Sequence, residues 1–255
     1  MITVLNGLYR KLFCRGGHGV HSPFVFDLLT TVIEEKMLYY SYESLSLVRT
    51  QLRQDNSVVR HNNYELAVNN YLNRYCFSER EDQLLFRLAN RFKPHKIYIM
   101  DSDLGLAPLY LTAYSKSAYC VVAEPDFHVA TIAGKIVDKH TSSKIEIRVS
   151  DKLNIEDDII DFFVWGKTVT GSSGVSASGA IGCEAFSYEA FEKVLPYMSD
   201  DSIMVISNIY SSHKNRNTWK NICAHPKVTV TLDLYNLGIV FFNPKLNRKT
   251  YKSFV

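Results

Sequence analysis

From Lys96 onward the chain alternates apolar strand-forming runs with helical ones, and then the alternation ends in two consecutive β-rich runs. That ending constrains the fold more than any other feature. Strands are expected at 96–100, 118–123, 144–149, 159–165 and 202–207, and helices at 106–115, 127–140, 188–198 and 214–224. The strand runs are apolar on both faces, as parallel strands are when helices cover both sides of a sheet. The segment KVTVTLDLYNLGIVFFN supplies two more runs meeting at 236–238, which predicts an antiparallel hairpin at the sheet edge. The expected fold class is therefore α/β: a Rossmann-like, mostly parallel seven-stranded sheet with a C-terminal antiparallel hairpin. A plain dinucleotide fold would instead keep adding βα units.

The first part of the chain reads differently. Residues 1–79 are expected to form a helical extension and 80–255 the α/β domain. Ser22 is a good N-cap, Pro23 suits the first helical position, and Phe24, Leu28, Leu29 and Val32 form an apolar stripe. Further helices are expected at 44–54, 65–75 and 79–92, with a polar loop at 55–63 and no strand before residue 95. The apolar stripes exceed what a small extension buries alone. They are expected to pack on the main domain or on a second subunit, giving a homodimer through the N-terminal helices.

Composition removes several classes. The 255 residues carry a net charge of +3, and the Lys and Arg residues are scattered, so nothing demands a nucleic-acid partner. The exception is the basic tail KLNRKTYK at 245–252, of a length that is usually just solvated. The five cysteines are far apart and form no CxxC, which argues against a disulfide framework or structural zinc and for a reducing cytoplasm. MITVLNGLYRKLF lacks the layout of a signal peptide, and no apolar run is long enough to span a bilayer. No membrane partner is expected.

The segment KIYIMDSDLGLAPLYL (96–111) reads as strand, short loop and helix start, the local plan of a nucleotide-type binding turn. Such turns use glycines so that backbone can approach the ligand. Here only Gly105 is present, and Asp101 and Ser102 stand where the first close approach would be made. After the fourth strand, GKTVTGSSGVSASGAIG (166–182) is rich in Gly and Ser. It is expected to be a mobile connector rather than a lid, because it has no large anchor for a closed state.

Together the strand plan, GHGVHSPFVFDLL (17–29) and TWKNICAHPKVTVTLDLYNLGIVFF (218–242) resemble class I S-adenosylmethionine-dependent methyltransferases. The nearest resemblance is to a bacterial branch related to the catechol O-methyltransferases. The family's first motif looks like ELGTSLGISTLYL, against IMDSDLGLAPLYL here. Ile99 stands for the acid and Asp101 for the first glycine, while Gly105 matches. The resemblance implies cofactor contacts from Asp101, Ser102, Gly105, Glu124 and Asp151, with Glu124 holding the ribose hydroxyls and Ser150 beside Asp151. It implies a metal set at the ends of the fourth and fifth strands, where Trp165 replaces the family's Asp and SNIYSS (207–212) replaces DDIHWS. Magnesium needs hard anionic oxygens. Trp165, Ser207 and Asn208 do not supply them, so no metal is expected. His213 and Asn208 are the catalytic candidates, while His18 and His21 read as local hydrogen-bonding residues.

These substitutions lead to an expectation of a methyltransferase-like protein with degenerate motifs and no catalysis, acting as a binding or partner protein for an unknown protein or small molecule. S-adenosylmethionine is the implied cofactor, its affinity lowered by the charge of Asp101. The alternative is an active, metal-independent O- or N-methyltransferase. A second alternative is nucleic-acid binding through the basic tail.

Overall fold

The computed structural model describes residues 19–61, 64–101, 103–141, 143–150, 155, 159–167 and 186–253. One eight-stranded sheet runs through it, in the order β10-β8-β9-β7-β6-β3-β4-β5. Its strands are β3 (Lys96–Met100), β4 (Tyr119–Glu124), β5 (Lys144–Val149), β6 (Ile160–Trp165), β7 (Met198–Ser207), β8 (Val230–Asp233), β9 (Leu237–Phe241) and β10 (Lys249–Lys252). β5, β4, β3, β6 and β7 are parallel, and β9 pairs antiparallel with both β7 and β8. The Rossmann-like plan with its terminal hairpin is as the sequence pattern predicts. The hairpin is not the edge, however, because β10 adds parallel to β8. The strand comes from the basic tail: Tyr251 turns inward while Lys249, Thr250 and Lys252 stay exposed. Charged residues on an edge strand oppose further strand addition.

Alternation along each central strand divides the core in two. Ile97, Ile99, Cys120, Val122, Phe162 and Val164 face one layer, and Tyr98, Met100, Val121, Phe163 and Trp165 the other. The second layer is closed by α7 (Tyr188–Val194) and α8 (His213–Ala224). Gly238 lies against the Trp219 ring of α8, where an added Cβ would come within 2.5 Å of ring carbon, so this site requires glycine for close packing.

The first layer is where the N-terminal segments enter. α1 (Pro23–Leu28) is capped by Ser22, whose Oγ accepts from the Val25 amide at 3.4 Å, and it runs on as a π-helical turn, Leu29–Ile33. Val25, Leu28, Leu29, Val32 and Ile33 are buried with α4 (Glu79–Phe92) against the sheet. Phe24 meets Phe241 edge-on, ring centres 5.1 Å apart. α4 starts with a full capping box between Ser78 and Glu81. Outside this layer, α2 (Tyr40–Gln54) and α3 (Val68–Tyr75) form a third apolar cluster with α5 (Leu106–Thr112) and α6 (Phe127–His140).

One expectation about this region fails. Instead of a loop followed by a helix from residue 65, residues 58–67 form an antiparallel pair, β1 (Val58–His61) with β2 (Tyr64–Ala67), and α3 begins only at Val68. The pattern VVRHNNYELA carries the signal for it, two β-prone runs flanking Asn-Asn. The helical spacing of Tyr64, Val68 and Tyr71 masks it.

The inward face of α1 is part of the main core, so truncating it is costly. Leu28 is 1% exposed and Leu38 is 87% exposed. Leu28→Ala is expected to lower the free energy of unfolding by about 2–5 kcal/mol, and Leu38→Ala to change it by less than about 0.5 kcal/mol. Urea denaturation of the two variants checks both values.

Candidate cofactor crevice

Strand β3 is the point where the sheet's connections reverse, since β4 and β5 lie on one side of it and β6 and β7 on the other. In open α/β sheets ligands bind outside the carboxyl ends of the strands at such a point. Three backbone bonds define the crevice there. Asp101 N–H donates to Ala123 O at 2.9 Å, Gly166 N–H to Met100 O at 2.9 Å, and Ser150 N–H to Glu124 O at 3.0 Å. The ends of β3, β4, β5 and β6 are thereby held in one row. Gly166 has no room for a side chain, because a Cβ would lie 2.6 Å from Met100 O.

The turn that follows β3 bends through left-handed backbone. Asp101 has φ 73°, Asp103 φ 53°, Leu104 φ 53° and Gly105 φ 88°. Asp tolerates this region better than most residues, and a buried Leu does not. Asp101 thus keeps the backbone path that a glycine would take, while adding a carboxylate. Gly105 serves packing: a Cβ there would meet Ala133 O of α6 at 3.0 Å and Val137 at 3.3 Å. Of the five residues expected to touch a cofactor, Asp101 and Glu124 end adjacent parallel strands at the crevice, and Gly105 sits between the turn and α6. Ser102 and Asp151 lie outside the described residues, as do His18 and most of the Gly/Ser-rich segment.

Glu124 is 3% exposed, and its Oε1 accepts from the Asp126 amide at 3.1 Å. Asp126 in turn caps α6, its Oδ1 accepting from His128 and Val129. The acid at the end of the second strand is therefore a buried group fixed to the start of a helix, not a solvated side chain. Tyr71 of α3 is buried nearby, and its hydroxyl is held well above the usual tyrosine range by burial first and by Glu124, Cys76, Asp101 and Asp126 after it.

The far rim has a different character. Trp165 is 1% exposed, packed against Phe163 and Phe186 with ring centres 5.4 and 5.7 Å away. Ser207 is buried, donating to Gly166 O. Asn208 takes φ 54°, and its carbonyl accepts from the Asn215 side chain at 3.0 Å. His213 opens α8 and is exposed, its Nδ1 3.3 Å from the Asn217 amide. Tyr210 turns away to donate to Asp233 at 2.5 Å and stacks on Tyr235. Among the described residues no group of three or more His, Cys, Asp or Glu is placed to hold a metal ion, and none of the helices is long and apolar enough to cross a membrane.

Of the residues that cover the near rim, Asp103 reads from the sequence as a helix-start acid or cation ligand, while sequence reasoning missed Lys167, Arg49 and Asp82. Lys167 follows Gly166, and its Nζ reaches Glu81 at 2.9 Å and Cys76 O at 3.0 Å. Arg49 pairs with Asp82 in full burial and donates to Phe77 O at 3.0 Å. Asp103 Oδ1 accepts from Phe77 N–H at 2.6 Å. The signal was an Arg inside the apolar stripe Leu45, Val48, Leu52 and an Asp next to the stripe Leu84, Leu85, Leu88.

No family model and no curated protein matches the chain. Solved structures do. A methyltransferase from Geobacter sulfurreducens superposes with a TM-score of 0.55 at 13% identity, covering 82% of this chain and 92% of that one. An O-methyltransferase from Bacillus cereus, solved in complex with SAH, gives 0.54 at 15% identity, covering 86% and 97%. SAH-bound PaMTH1 from Podospora anserina gives 0.51 at 11%, covering 82% and 99%. The strand order, the terminal hairpin and these likenesses agree that the chain has the Rossmann-like α/β fold of the methyltransferases.

Proposed function

We propose that this protein is an S-adenosylmethionine-dependent methyltransferase that works without a divalent ion. The observation that carries the reading is the pairing of a left-handed turn at Asp101 with a buried acid at Glu124, on adjacent parallel strands at the switch point of the sheet. Structural neighbours with this fold were solved with SAH, which supports the same ligand for this crevice.

The donor set fits the adenosyl end of the cofactor. A carboxylate fixed at the end of the second strand suits a ribose diol, which offers two O–H donors. The Asp101 turn keeps the path that lets backbone come close. Its carboxylate favours the cationic part of the cofactor and disfavours its carboxylate, an effect on the order of 1–4 kcal/mol depending on the local dielectric. The donor set does not fit magnesium, since an indole, a hydroxyl and an amide stand where anionic oxygens are needed.

When bound, the cofactor would supply an electrophilic methyl group. The chain's part is to orient and to exclude water: Glu124 fixes the ribose, the Asp101 turn fixes the amino-acid end, and the acceptor enters from the Asn208–His213 rim. Rate then comes chiefly from holding the acceptor atom in line with the methyl group. His213 is the ring base carried on that rim and serves an acceptor that must lose a proton.

A specific observation favours a second reading, a binding protein that does not transfer methyl groups. Trp165 fills the core at the end of β6, and the near rim is bridged by Lys167 to Glu81 and Cys76. Calorimetry and turnover separate the two readings. Micromolar SAH binding with methyl transfer insensitive to chelator supports the enzyme, while binding without transfer to any acceptor supports the second reading.

Two predictions follow from the site. Glu124→Ala removes a charged hydrogen-bonding group worth about 1.5–3 kcal/mol, so SAH affinity measured by calorimetry should fall roughly 10- to 100-fold. Gly166→Ala forces the ends of β3 and β6 apart. Thermal denaturation should show a loss of about 1–3 kcal/mol, with weaker SAH binding in the fraction that folds.

A further inference from the structure

The cover of the near rim is a buried charge cluster. Phe77, in the linker between α3 and α4, is held at both backbone polar atoms: its N–H by Asp103 Oδ1 at 2.6 Å and its carbonyl by Arg49 at 3.0 Å. Arg49, Asp82 and Asp103 are 3%, 0% and 7% exposed. Arg49 pairs with Asp82, while Asp103 accepts from the Phe77 amide and feels the guanidinium only through its field, all of it out of reach of water. Asp82 Oδ1 and Asp103 Oδ2 are each buried with no N–H or O–H donor upon them among the described residues. Lys167 at the same linker is taken up by Glu81, so two ionised carboxylates beside the one guanidinium are an uncompensated buried charge, which proteins avoid by taking up a proton.

We propose that Asp82 and Asp103 hold one proton between them and form a pH-sensitive clasp that seats the Cys76–Ser78 linker on the turn after β3. With the proton, the charges of Asp82, Asp103 and Arg49 sum to zero. Without it, repulsion between the two acids works against the Phe77 contact. The clasp ties proton activity to the rim of the crevice, whatever ligand the crevice takes, and so it stands apart from the methyl-transfer reading.

The surroundings agree. Burial, the largest cause, raises Asp103 to about 6, against the lowering pull of Arg49, the Phe77 amide, the Cys76 thiol that donates to it, and Lys167. Burial and Asp103 raise Asp82 well above the usual range, with Glu81 adding to the rise and Arg49 opposing it. The thiol of Cys76, facing Asp103 from the linker, is pushed up and stays protonated. From α5, Tyr110 is raised by burial, then by Asp82 and by Glu79. An acid raised in the folded state stabilises the fold below its unfolded pKa, and that contribution is lost as pH rises through the folded value. The window here runs from about 4 to about 6.

Urea unfolding of the full chain across pH 4.5–7.5, comparing wild type with Asp103→Asn and Asp82→Asn, tests this. Relative to either variant, the unfolding constant of the wild type should rise about tenfold per pH unit up to about pH 6 and then level. Superimposable pH profiles would overturn the proposal. Carboxyl ¹³C NMR on the wild type needs no variant to fold: one Asp titrating near 6 is expected, and all aspartates titrating below about 4.5 would overturn it.

Discussion

Strand β3 has parallel partners on both sides and covered faces above and below, and the rest of the structure depends on that placement. Because it is central, its residues alternate strictly between two apolar layers. Because β4 leaves on one side and β6 returns on the other, its carboxyl end lies at the switch point of the sheet, where open α/β sheets bind ligands. Gly166 closes on Met100 there with no space for a side chain. The position of Glu124 and Asp101 at adjacent strand ends is a consequence of that single arrangement.

The sheet was legible because its strands are short, apolar on both faces and separated by helical periodicity. β3 was read at its observed bounds, and the other central strands to within a residue except at the start of β7, where Met198–Asp201 lacks the apolar pattern. β10 was not legible, since KTYK is a charge-rich run whose only inward residue is Tyr251. The β1–β2 pair was hidden by a helical spacing that continues into a real helix. At the site, the ends of strands could be located, so Asp101, Glu124, Trp165 and Ser207 fell where expected. What the sequence could not reveal was pairing across long separations. Arg49 with Asp82, and Lys167 with Glu81, join segments 33 and 86 residues apart, and only the fold brings them together.

Charge is missing at Ile99, Trp165 and Asn208, where the family resemblance implied it, and is present at Asp82, Asp101 and Asp103 instead. Glu124 and the left-handed turn at Asp101 stand at the ends of β4 and β3. At the end of β6, Trp165 belongs to the hydrophobic core, packed between Phe163 and Phe186.

The most direct test of this account is a crystal structure of the full chain grown with S-adenosylhomocysteine. The account predicts the adenosyl group in the crevice at the ends of β3 and β4, with both ribose hydroxyls on Glu124 and the amino-acid end on the Asp101 turn. An adenosyl group bound elsewhere, or none bound at saturating ligand, would contradict it.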